Sequence, residues 1–200
     1  DLENKFNCYG LYYNLKEEGL YNSIEHAAKE LSKQILKEQK DDNFMILGYS
    51  MGAVIAFEMA KILEDTFKSF PVILVDKEAK KENPFNIFKS NSIDKETNKL
   101  LEKYNNLIEH DDMEAQDLKR FLSNNMNILN KYEPTRQIRN SIHVFESLDN
   151  AQRAKMKDWK KYTKGDLKIN YIKGEHWDAF SEINIEQFKK LTCRCLVNLL

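Results

Sequence analysis

Glycine, proline and cysteine are scarce in this chain, at six, three and three of 200 residues. So few glycines and prolines exclude a collagen-like or low-complexity chain, and no repeat or flexible linker interrupts the sequence. Three cysteines make an odd number with no metal-like partner set. Cys193 and Cys195 fall on different sides of a predicted terminal helix, so all three cysteines read as reduced structural thiols. Neither sign of charge dominates, with 31 Lys+Arg against 32 Asp+Glu, and no global field points to nucleic acid or an anionic membrane. No apolar run reaches membrane-spanning length, and the opening DLENKFN is polar and acidic where a signal peptide would be basic and then apolar. The expected location is the cytoplasm. What the chain does have is core material: 42% hydrophobic and 11% aromatic residues, enough over 200 residues for one packed domain spanning 1–200.

The most informative stretch is Asn43 to Asp65, NFMILGYSMGAVIAFEMAKILED. An apolar run, Phe44 to Leu47, ends in Gly48-Tyr49-Ser50-Met51-Gly52, and apolar residues then resume at helical spacing through Val54, Phe57, Met59, Ala60, Ile62 and Leu63. Strand, tight turn and helix in that order, with Gly-x-Ser-x-Gly at the junction, describe a nucleophile elbow. The serine rides a strained turn that small flanking residues allow to pack, and its hydroxyl projects from the sheet edge. The following helix adds a positive dipole end and unpaired backbone N–H groups.

Around this stretch the chain alternates. Phe6 to Tyr13, rich in aromatics, reads as a strand with Gly10 at a bulge or close approach. Asn22 or Ser23 with Glu25 starts an amphipathic helix over Ser23 to Gln39, whose other face, with His26, is solvated. Phe70 to Asp76 is a continuous apolar run suited to a strand buried on both faces. Strand, helix, strand, helix, strand implies right-handed parallel crossovers. From Ser92 to Glu133 the period is helical with no intervening strand, so two or three helices form an insertion, at about 86–133, at the sheet edge where α/β proteins bind ligands. It reads equally as a lid or as an ordinary helical subdomain. The alternation resumes with a strand over Ser141 to Leu148, a helix over Ala151 to Tyr162, a strand over Leu167 to Ile172 and a final helix from about Ile185 to Leu200.

A serine hydroxyl needs a base to take its proton and an acid to orient that base. His26 lies on a helix before the elbow, His110 sits in the insertion and His143 lies inside an apolar strand. His176 alone follows a late strand and a glycine, C-terminal to the serine, as the order serine, acid, histidine requires. The acid should also end a strand. Asp76 after PVILV and Asp149 after HVFESL both qualify, with Glu146 a weaker third, and physics alone does not separate the first two.

The segments GYSMGAVIAFEMAKILED, VILVD with its lysine-rich turn, and DWKKYTKGDLKINYIKGEHWDAF together resemble the thioesterase domains that end nonribosomal peptide synthetases, and their type II relatives. The resemblance covers nearly the whole chain. It implies an α/β-hydrolase fold, with a mostly parallel sheet flanked by helices and the insertion as a lid. In the terminal domains the acid commonly follows the strand after the elbow helix, which selects Asp76; in many free-standing relatives it follows the later strand, which would select Asp149. Family members usually begin with strands and a Pro- or Gly-containing loop that gives half of the oxyanion hole, whereas this chain starts at about the next strand. The expectation is therefore a fold without those N-terminal strands, with the Met51 backbone N–H as one oxyanion donor and the second unassigned.

The resemblance implies an antibiotic-biosynthesis thioesterase releasing an acyl or peptidyl chain, by hydrolysis or cyclisation, from the phosphopantetheine thioester of a peptidyl or acyl carrier protein. The phosphopantetheine arm belongs to that partner; no cofactor of the chain's own and no metal is implied. Another serine carboxylesterase would use the same Ser50, His176 and Asp76. A catalytically silent hydrolase-fold module is the non-enzyme alternative, motivated by the missing oxyanion loop.

Overall fold

A computed structural model describes residues 7–11, 19–79, 115–149 and 156–197. In it, four strands form one sheet in the order β1-β2-β3-β4: β1 Ile46–Tyr49, β2 Val72–Val75, β3 Ile142–Ser147 and β4 Leu167–Ile172. Every pairing is parallel, with Ile46 opposite Val72, Val72 opposite Ile142, and Ile142 opposite Leu167. The carboxyl ends of all four strands therefore lie along one edge.

Helix α1, Ile24–Glu38, begins where Ser23 accepts the His26 N–H at 3.0 Å, an N-cap that satisfies one of the otherwise orphaned first-turn donors. Its buried stripe, Ile24, Ala27, Ala28 and Leu31, packs against helix α2, Met51–Leu63. Helix α2 is apolar on most sides because it lies between α1 and the sheet: Val54, Phe57, Ala60 and Leu63 are all buried. Together they form the larger core, which Ile138, Ile142, Val144 and Trp159 join from the later half of the chain. A smaller cluster of Ile73, Val75, Phe145, Ile172, Ala179 and Phe188 covers the other sheet face beneath the last helix, α4, Glu182–Val197.

Helix α3, Ala115–Lys131, lies in the predicted insertion, and residues 86–114 of the 86–133 segment lie outside the described residues. Its Ile128 enters the larger core, and Asn124 donates to the Tyr21 carbonyl at 2.8 Å. Just beyond, Tyr132 donates to buried Glu58, which also pairs with Lys61. Burial and the Glu58 charge hold the Tyr132 hydroxyl well above the usual tyrosine range.

Several expectations are corrected. Residues 7–11, inside the predicted strand Phe6 to Tyr13, form no strand and are exposed, Tyr9 at 80%; aromatic content favours a strand only where a partner and a buried face receive it. Gly10 makes no close approach, since nothing lies within 4 Å of where a Cβ would stand. The described end of the helix predicted over Ala151 to Tyr162 is a 3-10 helix, Met156–Tyr162. Helix α4 starts three residues earlier than Ile185, because Ser181 accepts the first-turn N–H groups of Asn184 and Ile185. Among the described residues no helix is long and apolar enough to cross a membrane.

Candidate active site

Ser50 links β1 to α2 with φ 54° and ψ −122°, a conformation that L side chains rarely adopt. Two features hold it there. Its N–H donates to the Val75 carbonyl at 3.0 Å, carrying the sheet ladder one residue past β1, and Ala53 N–H donates back to its own carbonyl at 3.0 Å. Gly48 supplies the space: a Cβ there would strike the Gly52 carbonyl and the Ala53 nitrogen. The second glycine of the motif behaves differently, since a Cβ on Gly52 would meet nothing within 4 Å. Gly48 is thus the glycine that packing demands. Met51 opens α2, where first-turn N–H groups have no acceptor within the helix.

Asp76 follows β2 in the other left-handed non-glycine conformation of the described chain, φ 49°, with its N–H on the Phe145 carbonyl at 2.7 Å. The side chain is buried. Its Oδ1 accepts the Ser147 N–H at 2.9 Å, the Ser147 hydroxyl lies 3.0 Å from both carboxylate oxygens, and Oδ2 also meets His176 Nδ1 at 2.7 Å. Burial pushes this carboxyl up, but the hydrogen bonds from His176 and from the Ser147 N–H and hydroxyl outweigh it and hold Asp76 below the usual carboxylate range. Next to it, Trp159 donates its indole N–H to the Lys77 carbonyl at 2.8 Å, pinning the backbone just after the acid.

His176 begins a 3-10 turn, His176–Asp178, entered through Gly174 at φ 82°. A Cβ on Gly174 would collide with the Asp178 carboxylate, which instead accepts the Glu175 N–H at 2.8 Å. Buried Asn184 closes the loop from α4: it accepts the Lys173 N–H at 3.1 Å and donates to the Lys173 and Asp178 carbonyls at 2.7 and 2.8 Å.

Of the acids left open by the sequence, Asp76 is the one whose carboxylate meets the imidazole. Asp149 is exposed, and its backbone N–H is directed to the Gly174 carbonyl at 3.4 Å. Glu146 is buried beside Asp76, and burial and the Asp76 charge raise its carboxyl above the usual range. His143 is buried within β3, and burial lowers it below the usual histidine range. His26 packs edge-on against Tyr21, and His110 lies outside the described residues. Among the described residues no three His, Cys, Asp or Glu side chains stand close enough to share a metal ion. Ser147 was missed in the sequence. A hydroxyl at the end of an apolar strand that neighbours the acid strand is the signal that could have found it.

The model of the thioesterase domain family matches residues 2–191. The chain belongs to that family. The thioesterase is similar in structure to the NocB thioesterase domain solved in covalent complex with a fluorophosphonate nocardicin G analogue, at 17% identity and a TM-score of 0.65 over 90% of this chain and 78% of that one. It is also similar to SrfTE, the thioesterase domain described for surfactin cyclisation, at 19% identity and 0.65 over 84% and 74%. The type II thioesterase BorB gives 17% and 0.62 over 88% and 74%. Comparison with curated proteins gives no match. These likenesses fix the α/β-hydrolase fold of the thioesterase, and its family makes it a hydrolase.

Proposed function

We propose that this thioesterase releases acyl or peptidyl chains from the phosphopantetheine thioester of a carrier protein through Ser50, His176 and Asp76. The observation that carries the reading is the 2.7 Å contact between His176 Nδ1 and Asp76 Oδ2, on the same sheet edge as the left-handed Ser50 turn. Asp76, ionised and fixed by Ser147, keeps the proton on Nδ1, so Nε2 is the nitrogen free to act as base.

Ser50 Oγ attacks the thioester carbonyl while Nε2 takes the hydroxyl proton. The carbonyl oxygen becomes an oxyanion against the Met51 N–H. Collapse breaks the carbon–sulfur bond, the thiolate leaves and receives the proton from His176, and the chain is held as an ester on Ser50. His176 then takes a proton from water, or from an amine or hydroxyl of the chain itself, to release an acid or a cyclic product. A thiolate leaves with little help, so the barrier lies in the attack and in holding the oxyanion. In this reading the 86–133 segment, to which α3 belongs, acts as the lid over the acyl chain.

A fluorophosphonate probe should label the wild-type chain and leave Ser50→Ala unlabelled. With an acyl-loaded carrier protein as substrate, Asp76→Asn should lower turnover by about four orders of magnitude, the effect of removing an orienting aspartate in a serine protease, and Asp149→Asn by much less. Labelling that persists in Ser50→Ala would overturn the nucleophile. Faster cleavage of simple esters than of the carrier-borne thioester would move the chain to the carboxylesterases.

A further inference from the structure

Tyr49 occupies a position that the elbow motif leaves open, between Gly48 and the serine. Its hydroxyl donates to the His176 backbone carbonyl at 2.7 Å. Its ring stacks on the His176 imidazole, centroids 4.8 Å apart and planes 24° apart. Phe180 meets the same tyrosine edge-on at 5.3 Å, and Trp177 stands perpendicular to the imidazole at 5.4 Å.

These contacts complement the bond to Asp76. A single hydrogen bond at Nδ1 fixes one point of the imidazole and leaves its plane free to tilt about that point. A ring stacked face to face removes the tilt, and a hydrogen bond to the main-chain carbonyl fixes the height of the loop that carries the histidine. Because Tyr49 adjoins Ser50 in the chain, a shift of the nucleophile turn carries the base with it.

We infer that Tyr49 is a positioning residue for the base, setting the tilt and height of the His176 ring relative to Ser50. The inference rests on the proposed roles of Ser50, His176 and Asp76. It divides one side chain into separable parts: Tyr49→Phe keeps the stack and removes the hydroxyl, whereas Tyr49→Leu removes both.

The test uses the full chain, an acyl-loaded carrier protein, and proton NMR of the low-field resonance expected for an imidazole N–H on a carboxylate. Tyr49→Phe should lower kcat about 2- to 10-fold, the effect of one ordinary hydrogen bond, and keep the resonance sharp. Tyr49→Leu should lower kcat about 100-fold, as a reacting group displaced by about 1 Å does, with KM within about twofold of wild type and the resonance broadened or lost. Thermal unfolding of both variants, measured alongside, gives the folded fraction to which kcat is normalised. A Tyr49→Leu enzyme with normalised kcat and resonance unchanged would overturn the inference, as would equal losses in the two variants. If wild-type protein shows no Ser50-dependent cleavage, the proposed function fails instead, and the resonance in the two variants still decides the role of Tyr49.

Discussion

The serine turn and the histidine loop meet at one sheet edge but are held by different means. Ser50 sits between β1 and α2, and the residues behind it, Val54, Phe57, Ala60 and Leu63, are buried in the larger core. His176 follows β4, where only Ile172 is buried, and the apolar support beneath its loop is the smaller cluster, in which Ile172, Ala179 and Phe188 join Ile73, Val75 and Phe145. Polar clamps make up the difference: Asn184 across the loop, Asp178 on Glu175 and Tyr49 on the His176 carbonyl. Apolar burial is non-directional and large, so it holds the serine turn as part of the global fold. Hydrogen bonds contribute less but fix direction, which is what an imidazole needs.

This contrast separates the effects of mutation on the two sides. Phe57→Ala should destabilise the whole fold by about 3–5 kcal/mol, because the side chain is fully buried against Trp159 and the cavity left behind cannot fully collapse. Denaturant titration checks it, and a loss below about 1 kcal/mol would mean the serine turn does not depend on that core. Asn184→Ala should cost less stability, about 1–3 kcal/mol, since it removes the side chain that pairs the Lys173 N–H and carbonyl, while the Asp178 carbonyl keeps the Ser181 N–H and hydroxyl. Its turnover should nevertheless fall about 10- to 100-fold as the histidine loop loosens. Equal fractional losses of stability and turnover in both variants would erase the distinction.

The smallest effect is expected from Glu146→Gln. Burial and the charge of Asp76 raise the Glu146 carboxyl in the folded state, and Lys157 offsets only part of this. A carboxyl raised on folding supports the fold only below its unfolded value, about 4.3, and that support is lost as pH rises through the folded value. Removing the ionisation should therefore raise the thermal midpoint at pH 7 to 8, and the gain should shrink toward pH 4. A gain independent of pH would point to packing instead.

The better-packed side was also the more readable one in the sequence. A helix start at Asn22 or Ser23, the stripe from Ile24 to Leu31 and a strand within Phe70 to Asp76 each follow from local pattern, and the structure has the cap at Ser23 and the strand at Val72–Val75. Gly48 and Ser50 announce their turn through residue type alone. The polar side was less legible because its meaning is pairwise and distant. Asp76 and Asp149 both end strands, and only the left-handed turn at Asp76 with the Ser147 hydroxyl and N–H beside it directs one carboxylate to the imidazole. Nothing in the sequence around Tyr49 tells of a carbonyl far along the chain. The stretch from Phe6 to Tyr13 misled for the opposite reason, since its aromatics fit a strand pattern while residues 7–11 have no partner strand and no buried face.

The contact between Tyr49 and His176 joins residues 127 apart, and that between Asp76 and His176 joins residues 100 apart. Closing a flexible loop costs entropy only as the logarithm of its length, about 0.6 kcal/mol for each doubling. Chain inserted between β2 and β3 therefore weighs little against the parallel register that sets Val75 beside Phe145 and so aligns the acid with its neighbours. Loop entropy thus sets only a weak limit on the length of that stretch, while the sheet register keeps Asp76 within reach of His176.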